Sequence, residues 1–193
     1  MASAPARGFA VGWNDVQVRP FGAQDIDPLL DFYYRSPRSL SVLQDIDFDR
    51  FPQEPQMRSQ LSGLVNSPSI VAVEHSGRTV GIHQVLDMKD GQGEFWAVLW
   101  NSDAQGKGIG AVSWYKACQY FFDSFPTLHV LLFKTPKANV ASERLAKKLP
   151  LKFMGEEELS PNRFKPGTRA NVYSVTRSEF ENLHNEDDDL DAD

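Results

Sequence analysis

Cysteine is almost absent from this sequence: Cys118 is the single one in 193 residues. That excludes an intrachain disulfide and any cysteine-rich zinc site, and sets the expectation of a reducing, cytoplasmic setting without a metal. Long apolar runs are missing too. No segment approaches the roughly 20 apolar residues of a membrane helix, and residues 1–7, Met-Ala-Ser-Ala-Pro-Ala-Arg, lack the apolar centre of a secretory signal. The third absence is a basic excess. The formal charge is −6, yet Glu186, Asp187, Asp188, Asp189, Asp191 and Asp193 supply six of the 26 acids, leaving 20 acids against 20 bases. A neutral body argues against a nucleic-acid surface. What remains, 41% hydrophobic and 24% charged residues, suits one globular domain with a core large enough to fold without staples.

Residues 1–14 carry no strong period and are expected to be flexible, whereas residues 16–19 alternate like a first strand before Pro20. Asp25 or Asp27 suits the cap of a helix with Pro28 in its first turn and Leu29, Leu30, Phe32 and Tyr33 on its apolar side. Residues 36–55 are polar and turn-prone; Asp45, Asp47 and Asp49 would share one side of an extended segment, to attract a cationic amine or merely to solvate a loop. Met57, Leu61, Leu64 and Val65 predict a second helix over 56–65. Strands at 69–74 and 79–86 flank the hairpin turn 75–78, and the turn 90–93 leads to a third strand at 94–100. Further on, Ala111, Trp114, Ala117, Cys118 and Phe121 form one helical face, and residues 128–133 run apolar like a strand covered on both sides. A helix at 139–149 and strands at 152–155 and 172–175 complete a single domain over 15–184, followed by an acidic tail, 185–193, expected to be disordered.

Between the third meander strand and the following helix lies Asn101-Ser-Asp-Ala-Gln105-Gly106-Lys107-Gly108-Ile109-Gly110. Three glycines in five residues leave amides uncovered at a helix N-terminus, where the N–H groups and the helix dipole both favour an anion. A Walker A loop needs Ser or Thr after the lysine, but Gly108 follows Lys107. A Rossmann loop belongs at the first turn of a parallel sheet, and this one follows an antiparallel meander. A plain structural turn is the remaining alternative.

Residues 105–110 match Gln/Arg-x-x-Gly-x-Gly/Ala, and Asn139-Val-Ala-Ser142 opens a helix about one strand later. In order and spacing the two resemble the acyl-CoA loop and the Asn-x-x-Ser helix of the GNAT N-acetyltransferase superfamily, nearest its ribosomal-protein alanine acetyltransferase (Rim-type) branch. The resemblance covers residues 93–155 and implies a GNAT α+β fold in α/β/α layers, with a central mixed, mostly antiparallel twisted sheet flanked by helices. It also implies an acyltransferase moving an acetyl group from acetyl-CoA to a protein N-terminal or small-molecule amine, in a chain that a homodimer would suit. The alternative is a catalytically weak acyl-CoA-binding module.

Specific positions inherit roles from the resemblance. Amides of Lys107, Gly108, Ile109, Gly110 and Ala111 would hold the pyrophosphate, with Gly106 in the turn and Gln105 ordering it. The strand edge at Leu99 and Trp100 would pair with pantetheine and offer an N–H to the thioester. Asn139 would reach the pantetheine arm or the acceptor and Ser142 the departing sulfur; helix capping is the plainer role for either. Glu94 is the candidate base, with an exposed strand-end charge as alternative, and His83 is a second candidate by its intrinsic pKa. Ala146 departs from the family, whose members often carry a tyrosine there as general acid, and Pro150-Leu151 replaces the usual Gly-Phe. Trp96 and Trp100 suit an acceptor channel or the core.

Overall fold

Seven strands lie in one sheet in the order β1-β2-β3-β4-β5-β7-β6. This computed structural model describes residues 11–37, 40, 43–100 and 106–188, with backbone only for 184–188. The strands are β1 (Val16–Pro20), β2 (Ile70–His75), β3 (Arg78–Lys89), β4 (Gln92–Leu99), β5 (Val130–Pro136), β6 (Lys152–Glu158) and β7 (Arg169–Thr176). Every neighbouring pair is antiparallel except β4 and β5, which run parallel. The helices α1 (Ile26–Arg35) and α2 (Glu54–Gly63) pack with Ile70, Ile82 and Val98 on one face. The other face meets α3 (Ile109–Ser124), α4 (Val140–Ala146) and α5 (Arg177–Asp188) through Phe95, Trp114, Phe121, Leu131, Phe133, Ala146 and Phe180. The expected α+β architecture is therefore present.

Burial follows this layering. Ile70, Val71, Ala72 and Val73 of β2 are wholly buried, because α1 and α2 cover one side of that strand and α3 the other. Two-sided covering, expected at residues 128–133, does not occur there. Along β5 the residues alternate between buried Leu131, Phe133 and Thr135 and half-buried Val130, Leu132 and Lys134. Helices α1 and α2 pack with no residue of that strand, so its second face is only half covered.

Three further stretches bear on what the sequence led us to expect. Trp13, placed in a loose N-terminal stretch, sits in a short 3-10 turn, Trp13–Asp15. Lys116 lies 4.9 Å above its ring and donates to the Val16 carbonyl at 2.8 Å. At the other end, α5 carries the backbone to Asp188, into the stretch expected to be disordered. Its start is a reciprocal cap: Glu179 accepts from the Thr176 N–H at 2.8 Å while the Thr176 hydroxyl accepts from the Glu179 N–H at 3.1 Å. Residues 1–10 and 189–193 lie outside the described residues. The Asp45, Asp47 and Asp49 alternation does not share one side either, since residues 43–50 form turns around a single bridge, Ile46 to Phe164.

Candidate active site

The parallel pair β4–β5 opens into a notch. Its register runs from Gln92↔Val130 to Phe95↔Phe133 and stops there, although β4 continues to Leu99 and β5 to Pro136. Antiparallel pairing fixes what β4 offers to that notch. The Trp100 N–H donates to the Val80 carbonyl at 3.0 Å, so the alternating ladder turns Trp96, Val98 and Trp100 toward β3 and leaves Ala97 and Leu99 pointing the other way. Leu99 thus turns its backbone toward the notch. Trp100 does not: its N–H is already used by β3, and the neighbouring strand residue Ala97 has the orientation expected of it.

At the open end of the notch stands the N-terminus of α3. Gly106 (φ 77°) and Gly108 (φ 91°, ψ −2°) hold left-handed backbone that only glycine adopts without strain, and Gly108 is the N-cap. The Gly108 carbonyl accepts from Ala111 at 3.0 Å and Val112 at 3.1 Å, which leaves the amides of Ile109 and Gly110 ahead of the helical ladder. Ile109 is buried against Val16, Val73 and Val80, pinning this first turn to the sheet. Gly110 serves close approach: a Cβ there would lie 3.2 Å from Leu145 of α4 and 3.4 Å from Leu99. Lys107 is exposed beside these amides, while Gln105 lies outside the described residues.

On the face shared with α1 and α2, the residues nearest the notch apex carry charge and aromatic surface. Glu94 is mostly buried rather than an exposed strand end, with its side chain 16% accessible, and forms an ion pair with Lys134 at 3.1 Å. Lys134 also binds Glu157 at 2.6 Å. Burial disfavours the charge on Lys134, but the hydrogen bond to Glu157 and the charge of Glu94 outweigh it and raise the lysine's pKa. Trp96 packs against Phe164 at 5.8 Å between ring centres and donates from Nε1 to the Tyr33 hydroxyl at 3.4 Å. Burial pushes the Tyr33 phenol up to about 12.

His83 stands apart from this arrangement. It is 1% exposed beneath α3, its Nε2 is 2.8 Å from the Ser113 hydroxyl, and its Nδ1 has no hydrogen-bond partner. Burial lowers its pKa to about 3, so it is a neutral core imidazole packed on Phe95. A base must reach its proton, and this ring reaches no cleft.

Asn139, three residues beyond the end of β5, caps α4, its Oδ1 accepting from the Ser142 N–H at 3.1 Å. Ser142 is half-buried one turn into the helix. Ala146 is 1% exposed in the core, so the position of the absent tyrosine is filled by packing. Two groups escaped the sequence reading. Lys134 directly follows an apolar run and its partners are distant in sequence. Glu143 of α4 accepts from Thr135 at 2.7 Å and Tyr173 at 2.7 Å, tying α4 to β5 and β7. Burial opposes its ionisation, but hydrogen bonds from Asn171, Thr135, Tyr173 and Lys147 more than compensate and lower its pKa to about 2.

Among the described residues no group of His, Cys, Asp and Glu could hold a metal ion, and no helix is long and apolar enough to cross a membrane. Comparison with known proteins adds a family. A sequence model of the acetyltransferase (GNAT) family matches residues 29–149. A search of curated protein sequences finds no significant match. Among solved structures, aminoglycoside acetyltransferase AAC(6')-Ib in complex with coenzyme A is similar at TM-score 0.67 and 18% identity, over 86% of this chain and 98% of that one. The dodecameric spermidine N-acetyltransferase from Vibrio cholerae gives TM-score 0.65 and 13% identity, over 88% and 98% respectively. At such identities the likeness establishes the fold.

Proposed function

Because this chain belongs to the acetyltransferase (GNAT) family, we propose that it moves an acetyl group from acetyl-CoA directly to a primary amine, either the α-amine of a protein N-terminus or that of a small molecule. The observation that carries this reading is the alignment of two backbone features: the β4–β5 notch beyond Phe95 and Phe133, and the Gly106–Gly108 turn at its mouth. A pantetheine arm has two amides and mimics a strand, so the edge at Ala97 and Leu99 suits it. Amides at the start of α3 suit the pyrophosphate, with Lys107 adding charge. Neighbours of the same fold were solved with coenzyme A and with acetyl-CoA, which supports the donor. These neighbours are aminoglycoside and spermidine acetyltransferases, which supports an amine acceptor.

The reaction is an acyl exchange. The neutral amine attacks the thioester carbonyl, a C–N bond forms, the C–S bond breaks, and the amine's surplus proton is released while the thiolate becomes a thiol. An α-amine with pKa near 7.8 gives up its proton at about 1 kcal/mol at pH 7, whereas a lysine-like amine costs about 4.6 kcal/mol. With Ala146 in the core and His83 sealed, the α-amine class asks least of this site. Glu94 is the carboxylate nearest the notch apex on the acceptor face, and we assign it the proton. Asn139 and Ser142, on the far arm, position the donor.

Incubation with acetyl-CoA, an amine panel and a thiol reagent tests the proposal. Amine-dependent CoA release supports it; tight acetyl-CoA binding without release from any amine favours the binding module, and no binding in calorimetry rejects both. Glu94→Gln is expected to lower kcat/KM about 10²-fold at pH 7, with a smaller loss at pH 9, where the amine is already neutral. A loss independent of pH removes Glu94 as proton acceptor. A cytoplasmic location, consistent with the single cysteine, and a homodimer belong to the same proposal; sedimentation equilibrium returning the mass of one chain removes the dimer.

A further inference from the structure

Resting on that reading, we infer that Lys134 sets the charge class of the acceptor: the site takes an amine with one cationic nitrogen and disfavours polyamines. The argument starts from register. Phe95↔Phe133 is the last β4–β5 pair, so Trp96 and Lys134 are the first residues beyond it on their two strands. Both side chains lie on the face opposite Phe95 and Phe133, and an acceptor reaching the notch apex from that face passes between an indole and an ammonium. Glu94 and Glu157 alone would present two negative charges there, a match for a diamine. Lys134, at 3.1 Å from one and 2.6 Å from the other, already fills the place of one ammonium.

The triad therefore keeps one net negative charge, enough for a single cation. Its lysine is held firmly: the side chain is 20% exposed and two carboxylates grip it. The other charges nearby come in opposed pairs and leave the balance to the triad: Arg163 lies 3.8 Å from Asp87, and Lys165 interacts with Asp45. Arg163 and Lys165 flank Phe164, the ring resting on Trp96, and Arg163 acts electrostatically on Tyr33 beside it. Specificity of this kind is negative: the wrong substrate is refused because its second charge finds an ammonium in its place.

A matched pair of probes isolates charge from shape. n-Butylamine and 1,4-diaminobutane share the four-carbon arm and the reacting nitrogen and differ by one charge. For the full chain with acetyl-CoA, the ratio of kcat/KM for diamine over monoamine is expected to rise about fivefold to tenfold in Lys134→Met, the size of a unit charge removed at a partly buried site. Glu157→Gln is expected to move the ratio the other way, which a merely structural effect would not do, and it serves as the second variant should Lys134→Met fail to fold. KM for acetyl-CoA stays unchanged in both. If neither amine is turned over, spermidine affinity by calorimetry on the acetyl-CoA complex replaces the ratio, again rising in Lys134→Met. An unchanged ratio, or unchanged affinity, in folded Lys134→Met overturns the inference while leaving acetyl transfer standing. Failure of the wild type to bind acetyl-CoA overturns the parent reading instead.

Discussion

At Gly108 a positive φ and a helix N-cap coincide, so side chains introduced there report on two things at once. Alanine brings only the strain of left-handed backbone, about 1–2 kcal/mol. Aspartate brings the same strain and a negative charge where the pyrophosphate would approach. Gly108→Ala is expected to weaken acetyl-CoA binding modestly, and Gly108→Asp at least about tenfold further, because a like charge at an anion site is repelled through little screening solvent. Calorimetry on both variants, folded by circular dichroism, separates the contributions. Equal affinities for the two would remove this loop from the donor site.

Helix α4 shows how an element of seven residues keeps its place. Asn139 closes its start, and Glu143 accepts hydrogen bonds from β5 and β7. Asn139→Ala is expected to cost about 1 kcal/mol in stability through the lost cap, with any greater loss in kcat/KM attributable to the donor. Glu143, with its pKa lowered to about 2, contributes stability that is complete above the ordinary carboxylate range and disappears as pH falls from about 4.5 toward 2. The melting temperatures of wild type and Glu143→Gln should therefore converge at pH 2 and differ most above pH 5. His83 acts over a higher window: its lowered pKa makes the unfolded state bind the extra proton, so stability falls as pH drops from 6.5 toward 3 in both proteins.

The same scale shows what the sequence revealed. Gly106, Gly108 and Gly110 could be read because left-handed turns and close approaches leave glycine as a mark. Asn139 could be read because caps have a residue signature. The notch could not, since it depends on where a parallel register stops, and pairing partners are 38 residues apart, as in Phe95↔Phe133. Lys134 was hidden for the same reason: Glu94 and Glu157 meet it only in the folded sheet. His83 looked available because intrinsic pKa says nothing of burial. Helix α5 was missed because its apolar side is reduced to Phe180 and Leu183, although Thr176 and Glu179 did carry the capping pattern.

Over the whole molecule, the C-terminal helix closes the core that α3 builds. Phe180, 1% exposed, meets Trp114 at 6.1 Å, Tyr115 at 6.3 Å and Phe122 at 5.6 Å. Arg177 donates to the carbonyls of Phe122 at 2.7 Å and Phe125 at 2.9 Å, satisfying the end of α3 from the start of α5. Phe180→Ala is expected to lose about 3–5 kcal/mol by urea unfolding, a large part of the stability of a domain this size. A change below about 1 kcal/mol would mean that α5 docks without sealing the core.

In that sealed core lies Cys118, wholly buried in the middle of α3, its thiol pushed to higher pKa by the apolar surroundings. A thiol reagent must meet the thiolate, and here it meets nothing until the helix leaves the sheet. The folded protein is thus silent in any assay that reads liberated CoA by its sulfur. Its own labelling rate, followed over hours, becomes a clock for global opening that needs no engineered probe.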